Sequence, residues 1–158
     1  MEEAIRLATA DDIDKLIRLR FDFFAEENVN ISTGMYAMFE SNLRQYYARR
    51  LNNGFFAALA EVDQKIAAAA FMAVTEKPPN LCFPTGKTGT ILNVLTYPKY
   101  RKKGYATRVM DLLIEVAKKN NLSYLELSAT EQGKELYKKL GFKERGARRF
   151  TDMKLSLL

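Results

Sequence analysis

The sequence of 158 residues predicts an α/β (α+β) fold, in which a mixed central sheet of six to seven strands is flanked by about four helices. Segments with alternating or continuous apolar residues, typical of strands, are separated by segments with apolar residues at helical spacing. Strands lead at the amino end, and a strand-helix-strand-helix-strand pattern follows later. The length fits a single domain over residues 1–158.

The amino-terminal quarter is predicted to form one strand and two helices. Alternation of apolar and polar residues indicates a strand at residues 4–8. Thr9 or Asp11 can cap the following helix, in which apolar residues recur at helical spacing up to about Glu27. A second helix is predicted over residues 35–51, and the Asn-Asn-Gly sequence that follows indicates its end.

A β-hairpin and a buried strand are predicted next. Residues 55–61 and 65–74 have the pattern of paired strands. The second of them contains four consecutive alanines, residues 67–70, whose intrinsic preference is helical. After a proline-containing loop at 76–86, the largely apolar run at 88–96 is typical of a central strand buried on both faces.

The carboxyl-terminal part is predicted to alternate helices and strands. Its first helix has one apolar face, and its second ends at Gly141, the residue favoured where a chain turns left-handed after a helix. In order, the elements are a helix over residues 103–120, a strand over 122–127, a helix over 130–140, and final strands over 142–145 and 149–157.

The composition argues against several classes of function. The absence of histidine removes Ser-His-Asp hydrolysis and the usual zinc sites, so we expect no metal. A net charge of +6 favours anionic partners, either nucleic acid or a polyphosphate cofactor. The lone Cys82 and an acidic amino terminus predict a cytoplasmic protein. No apolar stretch approaches the roughly 20 residues needed to span a bilayer, so we expect no membrane partner.

The most informative segment runs from Val94 to Thr107, from the buried strand through a basic turn into a helix. Free backbone N–H groups at the start of a helix bind phosphate oxygens. Gly104 allows an anion close to the main chain, Ala106 does not block it, and Arg101-Lys102-Lys103 adds positive charge. This arrangement suits a pyrophosphate, although its spacing alone suits a solvated basic turn equally well.

Residues 101–106, Arg-Lys-Lys-Gly-Tyr-Ala, resemble the Arg/Gln-x-x-Gly-x-Gly/Ala signature of the GNAT superfamily of acyl-CoA N-acyltransferases. Residues 136–142 resemble the Leu-Tyr-x-Lys-x-Gly-Phe segment of that family. Residues 5–9, together with Asp11-Asp12 and Leu19-Arg20, resemble a common amino-terminal pattern. The resemblance covers nearly the whole chain and is least diagnostic over residues 28–87. It implies a mostly antiparallel sheet and transfer of an acetyl group from acetyl-CoA to a primary amine of a small molecule or peptide.

The resemblance also assigns the residues that would hold acetyl-CoA. The main chain of Val94, Leu95 and Thr96 would hold the pantetheine arm and the thioester carbonyl. The basic turn would hold the pyrophosphate, and Thr130 would contribute a hydroxyl or act as a helix cap. The full predicted set is Val94, Leu95, Thr96, Arg101, Lys102, Lys103, Gly104, Tyr105, Ala106, Thr107 and Thr130.

Tyr137 is the candidate acid that protonates the departing coenzyme A sulfur, as the resemblance implies, although a packed core tyrosine is the common alternative. Asn93 is a candidate for substrate binding, or for a structural hydrogen bond within a buried strand. Many family members have a glutamate near Asn93, and this sequence has none there. The general base is therefore open between a water chain and four distant carboxylates, Glu26, Glu27, Glu61 and Glu131.

These observations predict direct attack of the amine on acetyl-CoA in a ternary complex, by a monomer or a homodimer. An acetyl-cysteine intermediate is not expected, because Cys82 lies in the proline-flanked loop. Two alternatives remain open, which are an acyl-CoA sensor of the same fold without catalysis and, with less support, a basic nucleic-acid-binding domain.

Overall fold

The computed structural model describes residues 1–158, which form two compact units, residues 1–128 and 129–158. The single domain expected for the whole chain stays a prediction. No helix of the chain combines the length and apolar character needed to cross a membrane. In chain order the elements are β1 (Glu3–Leu7), a 3₁₀ helix (Ala10–Asp12), α1 (Ile13–Glu26), α2 (Thr33–Arg50), β2 (Phe55–Val62), β3 (Lys65–Glu76), β4 (Lys87–Thr96), a 3₁₀ helix (Pro98–Tyr100), α3 (Tyr105–Lys119), β5 (Leu125–Glu126) and, in the second unit, α4 (Lys134–Lys139).

The first unit contains a mixed sheet with the strand order β1-β2-β3-β4-β5. The first four strands pair antiparallel, and β4 pairs parallel with β5. The predicted hairpin is present as β2 and β3. Its turn residues Asp63 and Gln64 both have positive φ, 48° and 64°, as a two-residue loop requires to match the strand twist. The mixed α/β fold predicted from the sequence is therefore confirmed.

The predicted number of strands, six to seven, is wrong, because the sheet contains five. Neither of the final segments predicted as strands, residues 142–145 and 149–157, pairs with a neighbour. The second segment does alternate, but Phe150, Met153 and Leu155 are 76%, 92% and 82% exposed. Alternation by itself does not produce a strand, because a strand forms only where a neighbour takes its backbone hydrogen bonds and its apolar side is covered.

Helices cover both faces of the sheet in the first unit. Leu16 and Leu19 of α1 and Tyr47 of α2 pack with Phe71 in one buried apolar cluster. Helix α3 lies against β2 and β3, on the opposite face. The four alanines at residues 67–70 are completely buried between these layers. Packing on both faces therefore outweighs their preference for helix, and their small side chains allow the helices to approach closely.

A buried ion-pair network fixes β1 to the start of α1. The Asp12 carboxylate, 3% exposed, accepts two hydrogen bonds from Arg6, at 2.7 and 2.9 Å, and a third from the backbone N–H of Thr9, at 2.8 Å. Arg6 also binds Glu61 of β2 at 2.7 Å. The Arg6 guanidinium holds the pKa of Asp12 far below its usual range. The network therefore stabilises the fold as long as Asp12 is ionised.

Replacing Asp12 with alanine is expected to lower the free energy of unfolding by about 3 kcal/mol at neutral pH, because Arg6 loses its buried partner. The pKa of Asp12 is depressed by folding, so its contribution is present above the unfolded value of about 3.9 and is lost as pH falls through the folded value. Urea unfolding at several pH values measures both effects. Asp14→Ala is the matched control, since Asp14 is exposed in its pair with Arg44 and its loss should cost less than about 1 kcal/mol. Equal losses in the two variants would contradict a role for burial.

Candidate functional site

A β-bulge interrupts the last part of β4. Ala69 pairs with Leu95 and Phe71 pairs with Leu92, so two residues of β4 oppose a single residue of β3. Asn93 lies in the bulge with a φ of 56°, in the left-handed region that asparagine adopts more readily than most residues. The bulge bends the strand and redirects the backbone of the residues that follow.

Strand β5 leaves β4 before the bulge is reached. Their parallel pairing consists of Gly89 with Leu125 and Thr90 with Glu126. From residue 91 to residue 96, the edge of β4 that faces β5 has no strand partner. The main-chain groups that point to this edge are available to a ligand, except the Thr96 carbonyl, which accepts a hydrogen bond from Arg101 at 3.0 Å. The three residues predicted to hold the thioester lie within this stretch.

The turn between β4 and α3 presents unpaired amides. Lys102 and Gly104 have positive φ, 59° and 83°, and Gly104 caps the amino end of α3. The first α3 hydrogen bond runs from Arg108 to the Gly104 carbonyl at 3.1 Å. No backbone N–H of residues 102–107 donates a hydrogen bond within the chain. A Cβ placed on Gly104 would meet no atom within 4 Å, so the turn is open beside Gly104.

The side chains of this turn differ in what they contact. Arg101 donates to the carbonyl of Thr96 at 3.0 Å and to both carboxylate oxygens of Glu26, at 2.8 and 3.0 Å. It thus braces the turn against the end of β4 and against α1. Lys102 and Lys103 are exposed and form no ion pair. Their charges are therefore available to an anion.

Residues 105–107 begin α3. The Tyr105 side chain is 3% exposed and its hydroxyl donates to the Glu3 carboxylate, which raises the pKa of the phenol. Only the main chain of Tyr105 is therefore accessible at the turn. Ala106 and Thr107 are half-buried. Binding of acetyl-CoA by each of these residues stays a prediction.

Asn93 connects the bulge to α1. Its side chain is buried, donates to the Leu19 carbonyl at 3.3 Å, and accepts a hydrogen bond from Arg20 at 3.4 Å. The side chain thus makes the structural hydrogen bonds that were the alternative to substrate binding. Tyr97, which follows the end of β4, also contacts α1, because its hydroxyl donates a hydrogen bond to the Asp22 carboxylate.

Sequence reasoning assigned no role to Asp22 and named Arg20 only within the amino-terminal pattern that resembles the family. A signal was available, because these two charged residues interrupt the otherwise apolar Leu19–Phe24 segment of α1. A charge placed within the buried stripe of a helix usually has a partner or a function.

The carboxylates considered as general bases are mostly engaged in ion pairs. Glu26 binds Arg101 at 2.8 Å, and Glu61 binds Arg6 at 2.7 Å. In the second unit Glu131 binds Lys134 at 3.0 Å. Glu27 is exposed and forms no ion pair. An effective general base is usually buried and free of a cationic partner, and none of these four carboxylates meets both conditions.

Tyr137 lies on α4 in the second unit. It is half-buried, and its ring packs edge to face against Phe142 at a centroid distance of 6.0 Å. Burial raises the pKa of its phenol above the usual value. The hydroxyl is therefore protonated at neutral pH, which is the state that a general acid requires. The helix ends as predicted, with Gly141 at a φ of 98°.

Gly133 and Thr130 both have a local structural role near Tyr137. A Cβ on Gly133 would lie 2.8 Å from the Tyr137 ring, so the ring position requires glycine there. The Thr130 hydroxyl accepts a hydrogen bond from the Gly133 amide at 3.2 Å and thus caps the turn before α4. Its hydroxyl hydrogen remains available to a ligand.

The sequence model of the Acetyltransferase (GNAT) family matches residues 13–142. Among curated proteins, none matches this chain. Among solved structures, the chain is similar to a predicted acetyltransferase with acetyl-CoA from Clostridium acetobutylicum. The two are 28% identical over 97% of this chain and 96% of that chain, with a TM-score of 0.83.

Two more distant structures share the fold. A GCN5-related N-acetyltransferase from Ralstonia eutropha JMP134 is 24% identical over 96% of this chain and 99% of that chain, with a TM-score of 0.78. The glucosamine-6-phosphate N-acetyltransferase of Arabidopsis thaliana is 18% identical over 98% and 100%, with a TM-score of 0.69. Since the family match begins with α1 and extends beyond α4, the chain belongs to the GNAT family of acetyltransferases.

Proposed function

We propose that the protein transfers an acetyl group from acetyl-CoA to a primary amine of a small molecule or peptide. The observation that carries this proposal is the open turn at residues 102–107, where unpaired amides stand next to the unpaired edge of β4. Family membership supports it, as does the description of the C. acetobutylicum relative with acetyl-CoA.

The residues present fit a diphosphate and a thioester. The amides of residues 102–107 and the positive end of the α3 dipole bind the diphosphate, and Lys102 and Lys103 add charge. The main chain of residues 94–96 binds the pantetheine arm and the thioester carbonyl. Arg101 acts on the cofactor mainly by bracing this turn, and Thr130 offers a hydroxyl.

The chemical step is a direct acyl transfer. The lone pair of the neutral amine attacks the thioester carbonyl carbon, and backbone N–H groups at the β4 edge stabilise the resulting oxyanion. The C–S bond then breaks, and the Tyr137 hydroxyl donates its proton to the departing thiolate. The proton released by the amine passes to water, since Glu26, Glu61 and Glu131 are held in ion pairs. Solvent returns a proton to Tyr137.

The release of free thiol from acetyl-CoA, measured with a panel of amines, antibiotics and peptides, tests the proposal. We expect release that depends on the presence of an amine. Calorimetry with acetyl-CoA accompanies the panel. Binding without release from any amine would favour the acyl-CoA sensor, and absence of binding would reject both.

We propose no nucleic-acid partner, because the basic residues are scattered along the chain and no recognition motif organises them. Three of them, Arg44, Arg101 and Arg148, are paired with acidic residues of the chain. A cytoplasmic location and a monomeric or homodimeric state also remain predictions.

Replacing Cys82 with alanine is expected to leave turnover within about twofold of the wild type, because direct attack needs no thiol. Cys82 is exposed in the loop before β4, whereas the acetyl-CoA turn follows the opposite end of that strand. A strand of this length separates its ends by roughly 30 Å. Thiol release measured at saturating acetyl-CoA checks the prediction, and complete loss of activity in a folded variant would overturn direct attack.

A further inference from the structure

Arg20 of α1 is partly buried and has no acidic partner. One of its terminal nitrogens donates to the Asn93 side-chain oxygen at 3.4 Å, and its guanidinium carbon lies 4.6 Å from the centre of the Phe24 ring. Unlike Arg6 and Arg101, Arg20 makes no ion pair. The structure therefore retains a partly buried positive charge without a compensating negative charge.

The surroundings of Arg20 make this charge costly. Burial lowers the pKa of its guanidinium, and the one titratable group that acts on it electrostatically is the phenol of Tyr47. Tyr47 is itself 2% exposed, and burial raises its pKa to about 12, so it is neutral at physiological pH. Arg20 stays charged, because an arginine pKa starts above about 12. An uncompensated charge in such a place is usually paired by a ligand.

Most N–H donors of the Arg20 guanidinium have no partner within the chain. An arginine carries five N–H groups in a planar fork, and Arg20 uses one nitrogen, towards Asn93. Every fully enclosed side-chain nitrogen or oxygen in the protein has a hydrogen-bond partner. The unused donors of Arg20 are therefore not enclosed, and each is at least partly accessible from the surface. Their fork geometry matches the two oxygens of a carboxylate.

Arg20 also lies next to the region where the proposed reaction occurs. Its hydrogen-bond partner Asn93 occupies the bulge of β4, and the next residue, Val94, begins the edge assigned to the thioester. The diphosphate turn leads into α3, on the other face of the sheet from α1. An acceptor that approaches β4 from the side of α1 therefore passes Arg20.

We propose that the acceptor is a small amine that carries a carboxylate a few bonds from its nitrogen, and that Arg20 binds this carboxylate. The inference rests on the proposed acetyl transfer. A carboxylate fits better than a phosphate, because no lysine or second arginine contacts Arg20 and the single positive charge matches a single negative charge. Arg20 thus determines specificity and takes no part in the chemical step.

Paired substrates test the proposal without any mutation. Glycine, β-alanine and γ-aminobutyrate are compared with their carboxamides by thiol release from acetyl-CoA. We expect kcat/KM to be about 10- to 100-fold higher for the best carboxylate than for its amide, as a charge-assisted hydrogen bond supplies. Equal or faster reaction of the amides would overturn the proposal. A preference for phosphoethanolamine over every carboxylate would overturn the choice of carboxylate.

Arg20→Gln should abolish the preference for carboxylates over carboxamides while leaving the affinity for acetyl-CoA within about twofold. Arg49→Gln is the matched control, since it removes the same charge from an exposed, unpaired arginine of α2 and should retain the preference. If Arg20→Gln does not fold by circular dichroism, Arg20→Lys replaces it, with an intermediate preference expected. Retention of the full preference in a folded Arg20→Gln variant would contradict the proposal.

Failure of the acetyl transfer itself is recognised separately. If calorimetry detects no acetyl-CoA binding, the proposed function fails. The carboxylate site is then tested by titrating N-acetylglycine and N-acetylglycinamide into the wild type and the Arg20→Gln variant. Binding of the acid alone, lost in the variant, supports the site, and equal binding of acid and amide rejects it.

Discussion

Replacing Gly104 with tryptophan is expected to weaken acetyl-CoA binding by about 100-fold or more. Gly104 has a φ of 83°, and a Cβ there would meet no atom within 4 Å. We expect a bulky side chain to extend into this open space and to cover the amides of residues 102–107. Loss of two charge-assisted hydrogen bonds to a diphosphate accounts for an effect of about this size. Isothermal calorimetry measures the affinity, and circular dichroism confirms that the variant folds.

Gly104→Ala separates occlusion from strain. Both variants force a residue with a side chain into the left-handed backbone conformation, which lowers the free energy of unfolding by about 1–2 kcal/mol. Alanine, however, adds little bulk. We therefore expect alanine to reduce stability and to leave most of the affinity. Equal losses of affinity in the two variants would mean that strain in the turn is responsible. Unchanged affinity with tryptophan would mean that the diphosphate binds elsewhere.

Replacing Tyr137 with phenylalanine is expected to lower kcat by about 100-fold or more, the usual contribution of a general acid, with acetyl-CoA affinity within about twofold. The pKa of Tyr137 is raised by burial, and the hydroxyl must be protonated to act. The wild type should therefore keep its activity through neutral pH and lose it above the ordinary tyrosine value of about 10. The variant should lack this alkaline decline, which a pH profile of kcat records.

Tyr46→Phe is the matched control for Tyr137→Phe. Tyr46 is half-buried in an aromatic cluster with Tyr47 and Phe55, and its hydroxyl makes no hydrogen bond. Its loss should change kcat by less than about twofold. If Tyr137→Phe behaves like this control, Tyr137 is a packing residue and another group protonates the thiolate.

The local elements of the fold were largely predictable. Helix α3 follows from its single apolar face, and the hairpin from two strand patterns around a polar turn. The left-handed conformation of Gly141 follows from the place of glycine after the end of a helix. These signals depend on residues a few positions apart, and local sterics and hydrogen bonding decide the outcome.

Non-local pairing could not be predicted in the same way. The segment at 149–157 has the alternation of a strand without a partner, whereas the alanines at 67–70 form a strand against their helical preference. The bulge at Asn93 and the early end of β5 likewise depend on which strands meet and in which register. In each case the neighbouring element, and not the local pattern, decides the structure.

The sequence by itself determined the family, the basic turn with its glycine, and the candidate acid Tyr137, because these rest on contiguous motifs. Only the tertiary structure decided how the charged side chains are used. Arg101 binds Glu26 across 75 positions of sequence, and Arg20 meets Asn93 across 73 positions without finding a carboxylate. Residues so far apart in sequence meet only when the sheet and helices assemble. The tertiary structure therefore decides whether a partly buried charge is neutralised within the chain or left for a ligand.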